Sequence, residues 1–170
     1  MRELLTVGLT IKERLMEILV DTREKQPWTN LGCFSFASKK LDTGDYSLSG
    51  LEDQFCIERK RSVAEFAHNI TEKRFTRELE RMSQMKWPFL FLEFDCSDIS
   101  IYPYGQSIPK KQMKKIRVTP SFILSKIAEI QMKYDVRVVL CRNVEYAQIL
   151  AECLIKKVEK YAADNGEFRI

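Results

Sequence analysis

The chain is poor in the residues on which most metal and nucleophile sites depend. It has one histidine, His68, among 170 residues, and its five cysteines form no Cys-x-x-Cys pair. A structural zinc site needs four Cys or His ligands in paired spacing, so zinc is not expected. A lone histidine also argues against a Ser-His-Asp triad and against His-dependent nuclease chemistry; His68 reads as a surface or satisfied helix histidine. Cys33, Cys56, Cys96, Cys141 and Cys153 mostly fall in expected strands and helices and read as reduced core residues without a disulfide framework. No apolar run approaches the ~20 residues that cross a bilayer. Residues 1–19 carry Arg2, Glu3, Lys12, Glu13, Arg14 and Glu17, which leaves no apolar segment suited to a signal peptide. No internal repeat, low-complexity tract or interdomain linker is visible. These absences point to an intracellular protein of the cytoplasm, nucleoid or nucleus.

What is present is an ordinary globular composition, 45% hydrophobic and 31% charged. The length suits one domain with a real core. We divide the chain into an N-terminal extension, 1–16, helical over 3–16, and one domain, 17–165. A net charge of +4 permits nucleic-acid binding without demanding it.

The most informative stretch is 44–60. Asp45–Leu48 reads as a short strand ended by the turn pair Ser49-Gly50, and Phe55–Lys60 as its partner. Alternation puts Phe55 and Ile57 on one face and Cys56, Glu58 and Lys60 on the other. Asp45, at the start of the first strand, can lie beside them. Two carboxylates and an ammonium then share one side of a hairpin. Carboxylate oxygens suit Mg²⁺ or Mn²⁺, which take one or two such ligands and leave the rest to water and phosphate. A nearby lysine positions or deprotonates water, or stabilises charge on phosphate. The bland alternative is a solvated salt-bridged face.

The other elements follow from pattern. Ile18-Leu19-Val20 reads as a buried strand that delivers Asp21 and Glu24 to its carboxyl end, where ligand sites gather in covered sheets. Phe34–Leu41 alternates as a strand leading into the hairpin. Arg61–Ile70 reads as a helix with Val63, Phe66, Ala67 and Ile70 on one face, and Phe75–Met85 as another, with Arg74, Arg77 and Arg81 near one another. Phe89–Phe94 is continuously apolar, as a strand covered on both faces is, and Glu93 at its end suits either the site or a structural pairing. Residues 97–118 read as irregular. Within them Lys110, Lys111, Lys114, Lys115 and Arg117 are the densest basic run, which suits a phosphate backbone or a solvated loop. Thr119-Pro120 starts a helix to about Tyr134, with Phe122, Ile123, Ile127 and Ile130 apolar. Val136–Cys141 is a strand. Asn143 caps a last helix to about Ala162, with Ala147, Leu150, Leu154 and Val158 on its stripe.

Gly44-Asp45-Tyr46 followed by Ile57-Glu58-Arg59-Lys60 resembles the GD…ERK signature of the XPF family of structure-specific DNA endonucleases. Val20-Asp21-Thr22-Arg23-Glu24 is similar to that family's first motif, and Phe89–Phe94 to its following strand. The resemblance spans roughly residues 17–160. It implies an α/β fold with a restriction-endonuclease-like mixed β-sheet flanked by helices. It implies a Mg²⁺- or Mn²⁺-dependent endonuclease acting on branched DNA, with metal on Asp45, Glu58 and Asp21, Glu24 assisting, and Lys60 positioning water. Arg59, Arg74, Arg77 and the lysines at 110, 111, 114 and 115 are the expected DNA contacts. Arg23 is expected to be structural or phosphate-facing. The family also implies a homodimer or a nuclease-domain heterodimer, partly through the late helices. Some members have lost their acids and act as non-catalytic scaffolding subunits; an RNA-directed nuclease with the same site is a further alternative. The chain departs from the family at Ala64, where an Asp is usual, with Glu65 one place later. It also has Lys73-Arg74-Phe75 where the family has a Gly-Arg element, and no helix-hairpin-helix signature before Ile170. It therefore reads as a nuclease domain of a longer protein or a compact stand-alone enzyme of viral or bacterial origin.

Overall fold

The structure is a computed structural model that describes residues 16–32 and 34–166. The helix expected over 3–16 lies, apart from Met16, outside them. One six-stranded mixed sheet organises the described chain. Its strands are β1 (Ile18–Asp21), β2 (Phe36–Lys39), β3 (Tyr46–Leu48), β4 (Phe55–Lys60), β5 (Trp87–Leu92) and β6 (Arg137–Leu140), in the order β2-β1-β3-β4-β5-β6. β3 runs antiparallel to both β1 and β4, whereas β4, β5 and β6 are parallel to one another. The helices α1 (Val63–Asn69), α2 (Lys73–Met82), α3 (Cys96–Ser100), α4 (Lys110–Met113), α5 (Pro120–Tyr134) and α6 (Val144–Asp164) complete the fold. A mixed sheet flanked by helices is the architecture expected from the sequence.

Strand alternation divides the core into two layers. Ile18, Phe55, Ile57, Phe89 and Phe91 face α6, which covers them with Ala147, Ala151, Ile155, Val158 and Ala162. Cys56, Leu90 and Leu92 face the other way, toward Phe66 of α1, Phe75 and Met82 of α2, and Ile123, Ile127 and Ile130 of α5. β5 therefore contributes to both layers, which accounts for its unbroken apolar run.

Caps set the helix boundaries. Thr119 accepts a hydrogen bond from the Phe122 N–H at 3.2 Å with Pro120 at the first helical position, and Asn143 accepts one from Tyr146 at 3.0 Å. Several expectations are corrected. α2 begins at Lys73 rather than Phe75. β2 is short and mostly exposed, and pairs parallel to β1 at the edge of the sheet. Residues 97–118 hold two short helices, the first closed by a capping box between Asp95 and Asp98. Phe122 and Leu150 are exposed. On α6 the sheet receives Ala147 and Val158 of the expected stripe, together with Ala151, Ile155 and Ala162, and Leu154 packs against them partly buried. Of the four described cysteines, Cys56 and Cys141 are buried but Cys96 and Cys153 are exposed.

Candidate active site

The carboxyl end of β4 and the amino end of β3 meet at one cleft, of about 290 Å³, lined by Asp45, Glu58 and Lys60. Backbone pairing fixes Asp45 there. Its N–H donates to the Ile57 carbonyl at 2.9 Å, and its Oδ2 accepts the Arg59 N–H at 2.8 Å. Gly44 makes the approach feasible. It sits at φ +78°, and a Cβ there would lie 2.8 Å from Cys56 Cβ and 3.2 Å from the Ile57 carbonyl. The Gly-Asp pair is thus a steric requirement of the β3–β4 junction.

Lys60 Nζ donates to Glu58 Oε1 at 2.6 Å and lies 5.2 Å from the Phe75 ring centre. Both side chains leave β4 on the same face, as alternation predicts. Burial and the neighbouring Glu58 charge hold the Asp45 pKa well above the usual carboxylate value. Burial likewise raises Glu58, against the pull of Lys60. Burial disfavours the Lys60 cation, but the Glu58 and Asp45 carboxylates overcome it and raise its pKa, so the ammonium stays protonated. Among the described residues, the Asp45 and Glu58 carboxylates receive one side-chain cation between them, Lys60.

That imbalance fits a hard divalent cation. Among the described residues no three His, Cys, Asp or Glu side chains converge on one metal-sized point. Mg²⁺ does not require three, because one or two carboxylates plus water and substrate phosphate suffice. Asp45 and Glu58 are the residues that would hold it.

Asp21, expected as a third ligand, is placed otherwise. Its Oδ1 accepts from the Arg23 N–H and Nε, each at 2.7 Å. Its Oδ2 accepts from Arg23 Nη2 at 2.8 Å and from the Leu41 N–H at 2.9 Å. A carboxylate has about four acceptor sites, and all are occupied. Burial raises its pKa, but these hydrogen bonds outweigh that and leave the group below its ordinary value. Asp21 therefore ties the loop after β1 to Leu41 and aims Arg23, and presents no lone pair to a metal. Glu24 lines the cleft, with Oε1 accepting the Gln26 N–H at 2.7 Å.

Arg59 is the second correction. It borders the cleft but is buried, with its guanidinium held by other groups. Nε and Nη2 donate to Glu93 at 3.0 and 3.2 Å, and Nη1 donates to the Gln26 carbonyl at 2.6 Å. Trp28 stacks beneath it at 5.3 Å and donates Nε1–H to Glu93 Oε1 at 2.7 Å. Alternation along β4 sends Arg59 to the opposite face from Glu58 and Lys60, so it locks the 24–28 loop onto β5 instead of meeting DNA. Glu93 takes the structural pairing of its two readings.

Arg74 is exposed and lines the cleft mouth, with Glu72 at 4.0 Å. Arg77 is exposed but lies outside the cleft lining, and Lys110, Lys111, Lys114 and Lys115 lie on or beside α4, away from it. Besides Gly44, four cleft residues were not read as site residues from sequence, exposed Lys25 among them. Arg61 stands at the rim; Asn69 is buried at the end of α1; Glu78 accepts the Gly44 N–H at 3.0 Å and pairs with Arg81. Glu65 also lines the cleft, its carboxylate accepting the Arg61 N–H at 2.8 Å. Ala64, where the family's Asp would stand, is turned from the cleft, and Glu65 takes the cleft-facing place. Ser62-Val63-Ala64-Glu65 is a local signal for this turn, since Ser62 Oγ accepts the Glu65 N–H at 3.1 Å.

A buried carboxylate pair and a lysine in a cation-rimmed cleft supply the groups that a hard cation and an anionic substrate would need. The family model described as the ERCC4 domain matches residues 20–153, and the chain belongs to that family. Among solved structures, the chain resembles XPF from Aeropyrum pernix at 18% identity and a TM-score of 0.62, covering 89% of this chain and 69% of that one. It also resembles XPF from Aeropyrum pernix in complex with DNA, at 17% identity and a TM-score of 0.56, covering 88% of this chain and 66% of the other. At these identities the likeness concerns the fold. Comparison with individually curated proteins returns no match.

Proposed function

We propose that this chain is a metal-dependent DNA endonuclease that hydrolyses phosphodiester bonds in branched DNA: flaps, forks or junctions. The observation that carries the reading is the pairing of Asp45 and Glu58 beside Lys60, with both carboxyl pKa values raised by burial in one cleft. ERCC4-domain membership and the DNA-bound state of one similar structure support the substrate.

Mg²⁺ or Mn²⁺ held by Asp45 and Glu58 would polarise a phosphate oxygen and make a coordinated water more acidic. The chain's own groups do the remaining work. Lys60 is held protonated by Glu58, so it donates hydrogen bonds to water or to a phosphoryl oxygen rather than removing a proton. Arg23, aimed by Asp21, and exposed Arg61 and Arg74 line the mouth, where the scissile backbone would pass. Glu24 and Glu65 add negative charge near the Asp45–Glu58 pair. The products of water attack are a 5′-phosphate and a 3′-hydroxyl. Arg77 and the lysines of α4 extend the basic surface beyond the cleft. A dimer, with a second copy or another nuclease domain, would use the late helices, where Tyr146, Ile149 and Leu150 of α6 are exposed. Its setting would be intracellular DNA.

The test is cleavage of labelled 3′-flap, splayed-arm and linear DNA, with a matched RNA fork, in Mg²⁺, Mn²⁺ or EDTA. Metal-dependent cutting near the branch, lost in Glu58→Ala and Lys60→Ala, is the expected result. Binding of branched DNA without cutting in any metal would replace it with the scaffolding reading. Equal cutting of linear and flap DNA would remove the structural specificity, and preference for the RNA fork would move the substrate to RNA.

A further inference from the structure

A second concavity, of about 430 Å³, lies on the other side of α1 from the acidic cleft. α1 is the shared wall. Glu65 and Asn69 line the acidic cleft, whereas Ala64, Ala67 and His68 line the second pocket. A helix is about 10 Å across, so the two sites are neighbours. The far wall comes from the segment between α3 and α5, with Tyr102, Ile108, Ile116 and Val118 supplying apolar surface. Lys115 and Arg117 stand at its rim.

The charge of this wall is one-sided. Residues 102–118 contain Lys110, Lys111, Lys114, Lys115 and Arg117 and no Asp or Glu. All five cations are exposed, and none has an ion pair or side-chain hydrogen bond among the described residues. The pocket's lining includes no Asp or Glu, and His68 on its α1 wall faces Glu72 at 3.1 Å. An apolar floor under a cationic rim matches a polymer with apolar faces and an anionic backbone. Duplex DNA hides its base faces in the stack. An unpaired strand exposes them and buries them on aromatic and aliphatic surface while its phosphates meet the rim.

We propose that this pocket receives an unpaired DNA strand, so that one arm of a branched substrate crosses α1 from the acidic cleft into it. The inference rests on the endonuclease reading above and gives it a physical basis for preferring branched to linear DNA. The duplex stays at the cleft, and the single-stranded arm is held on the Tyr102–Val118 wall.

Two measurements in EDTA test it without cleavage. The first is photocrosslinking with 5-iodouracil placed either in the unpaired arm of a splayed duplex or within its paired stem, followed by peptide mapping. Arm probes are expected to crosslink to His68 or Tyr102, and stem probes are not. The second is anisotropy on oligo(dT) and on blunt duplex with the Lys115→Glu/Arg117→Glu protein, whose folding is checked by circular dichroism. Loss of two single-strand phosphate contacts should flatten the log K against log[salt] slope for oligo(dT) by about 1.4. Affinity for oligo(dT) should fall at least about tenfold, and by more than affinity for blunt duplex. Equal losses on both ligands, arm crosslinks confined to other peptides, or displacement of oligo(dT) by poly-glutamate at equal charge concentration would overturn the proposal. Metal-dependent cutting by the wild-type protein is scored separately. If cutting persists while these results fail, the pocket inference falls and the enzyme reading stands; absence of cutting with arm-specific crosslinks intact gives the reverse.

Discussion

Replacing Asp21 by Asn separates a structural carboxylate from a metal ligand. The side chain is 2% exposed, and its four acceptor sites take the Arg23 N–H, Arg23 Nε, Arg23 Nη2 and the Leu41 N–H. Asparagine keeps one oxygen and puts an NH₂ group where Oδ2 was. With its oxygen toward Arg23 Nε, the amide faces the Leu41 N–H and Arg23 Nη2 with hydrogens. The buried Leu41 N–H then lacks a partner, which costs about 1–3 kcal/mol. Arg23 has a side chain 67% exposed and can turn to water, so its lost ion pair adds at most about 1 kcal/mol. The expected loss is therefore about 1–4 kcal/mol at pH 7, read by urea unfolding of metal-free protein. The sign of the pH dependence follows from the lowered pKa. The Asp21 contribution is present above the unfolded value near 3.8 and is lost as pH falls through the lower folded value. The gap between wild type and variant should thus close in strong acid. Magnesium affinity, measured by calorimetry on the folded variant, should stay within a few fold of wild type. Unchanged stability together with a large loss of metal affinity would refute this account and return Asp21 to the metal.

Three other perturbations probe the same cleft. Gly44→Ala places a Cβ 2.8 Å from Cys56 Cβ at φ +78°, so strain of about 1–2 kcal/mol and overpacking of about 1–3 kcal/mol should add, lowering the urea midpoint and displacing Asp45. Asp45→Asn should stabilise metal-free protein at neutral pH. The wild-type carboxyl has a folded pKa raised above 3.8, so wild-type stability drains as pH rises through that folded value, whereas the amide cannot ionise; the advantage should vanish below pH 4, and added Mg²⁺ should stabilise only the wild type. Arg59→Met leaves Glu93 buried without its guanidinium and should cost about 3–5 kcal/mol in chemical denaturation; Arg59→Met/Glu93→Gln should recover part of it, and a fully additive double mutant would count against a coupled pair.

The local grammar of the site was open to reading. Strand alternation alone places Glu58 and Lys60 on one face of β4. The caps at Thr119 and Asn143 and the unbroken apolar run of β5 were equally visible, because each depends on residues a few positions apart. Arg59 and Asp21 show where that legibility stops. Alternation sends Arg59 to the face opposite Lys60, but what it meets there, Glu93 and Trp28, comes from distant segments. Asp21 looked like a third acid because its position at a strand end is right; only the arrival of Leu41 and the curl of Arg23 show its oxygens already filled. Glu78 carried no local signal, since its role is a hydrogen bond to Gly44 across thirty-four positions.

By itself the sequence determined the chemistry available: two carboxylates and a lysine on a hairpin, an unbroken strand beside them, and a basic run with no acid of its own. These are properties of spacing and composition, and a strand or helix period converts them directly into faces. The tertiary structure decided which acids remain available to a cation, which arginines are buried, and that α1 stands between an acidic cleft and a cationic, apolar pocket. Such outcomes depend on which long-range donors reach each oxygen and which surfaces the sheet brings within one helix width. No local period encodes either.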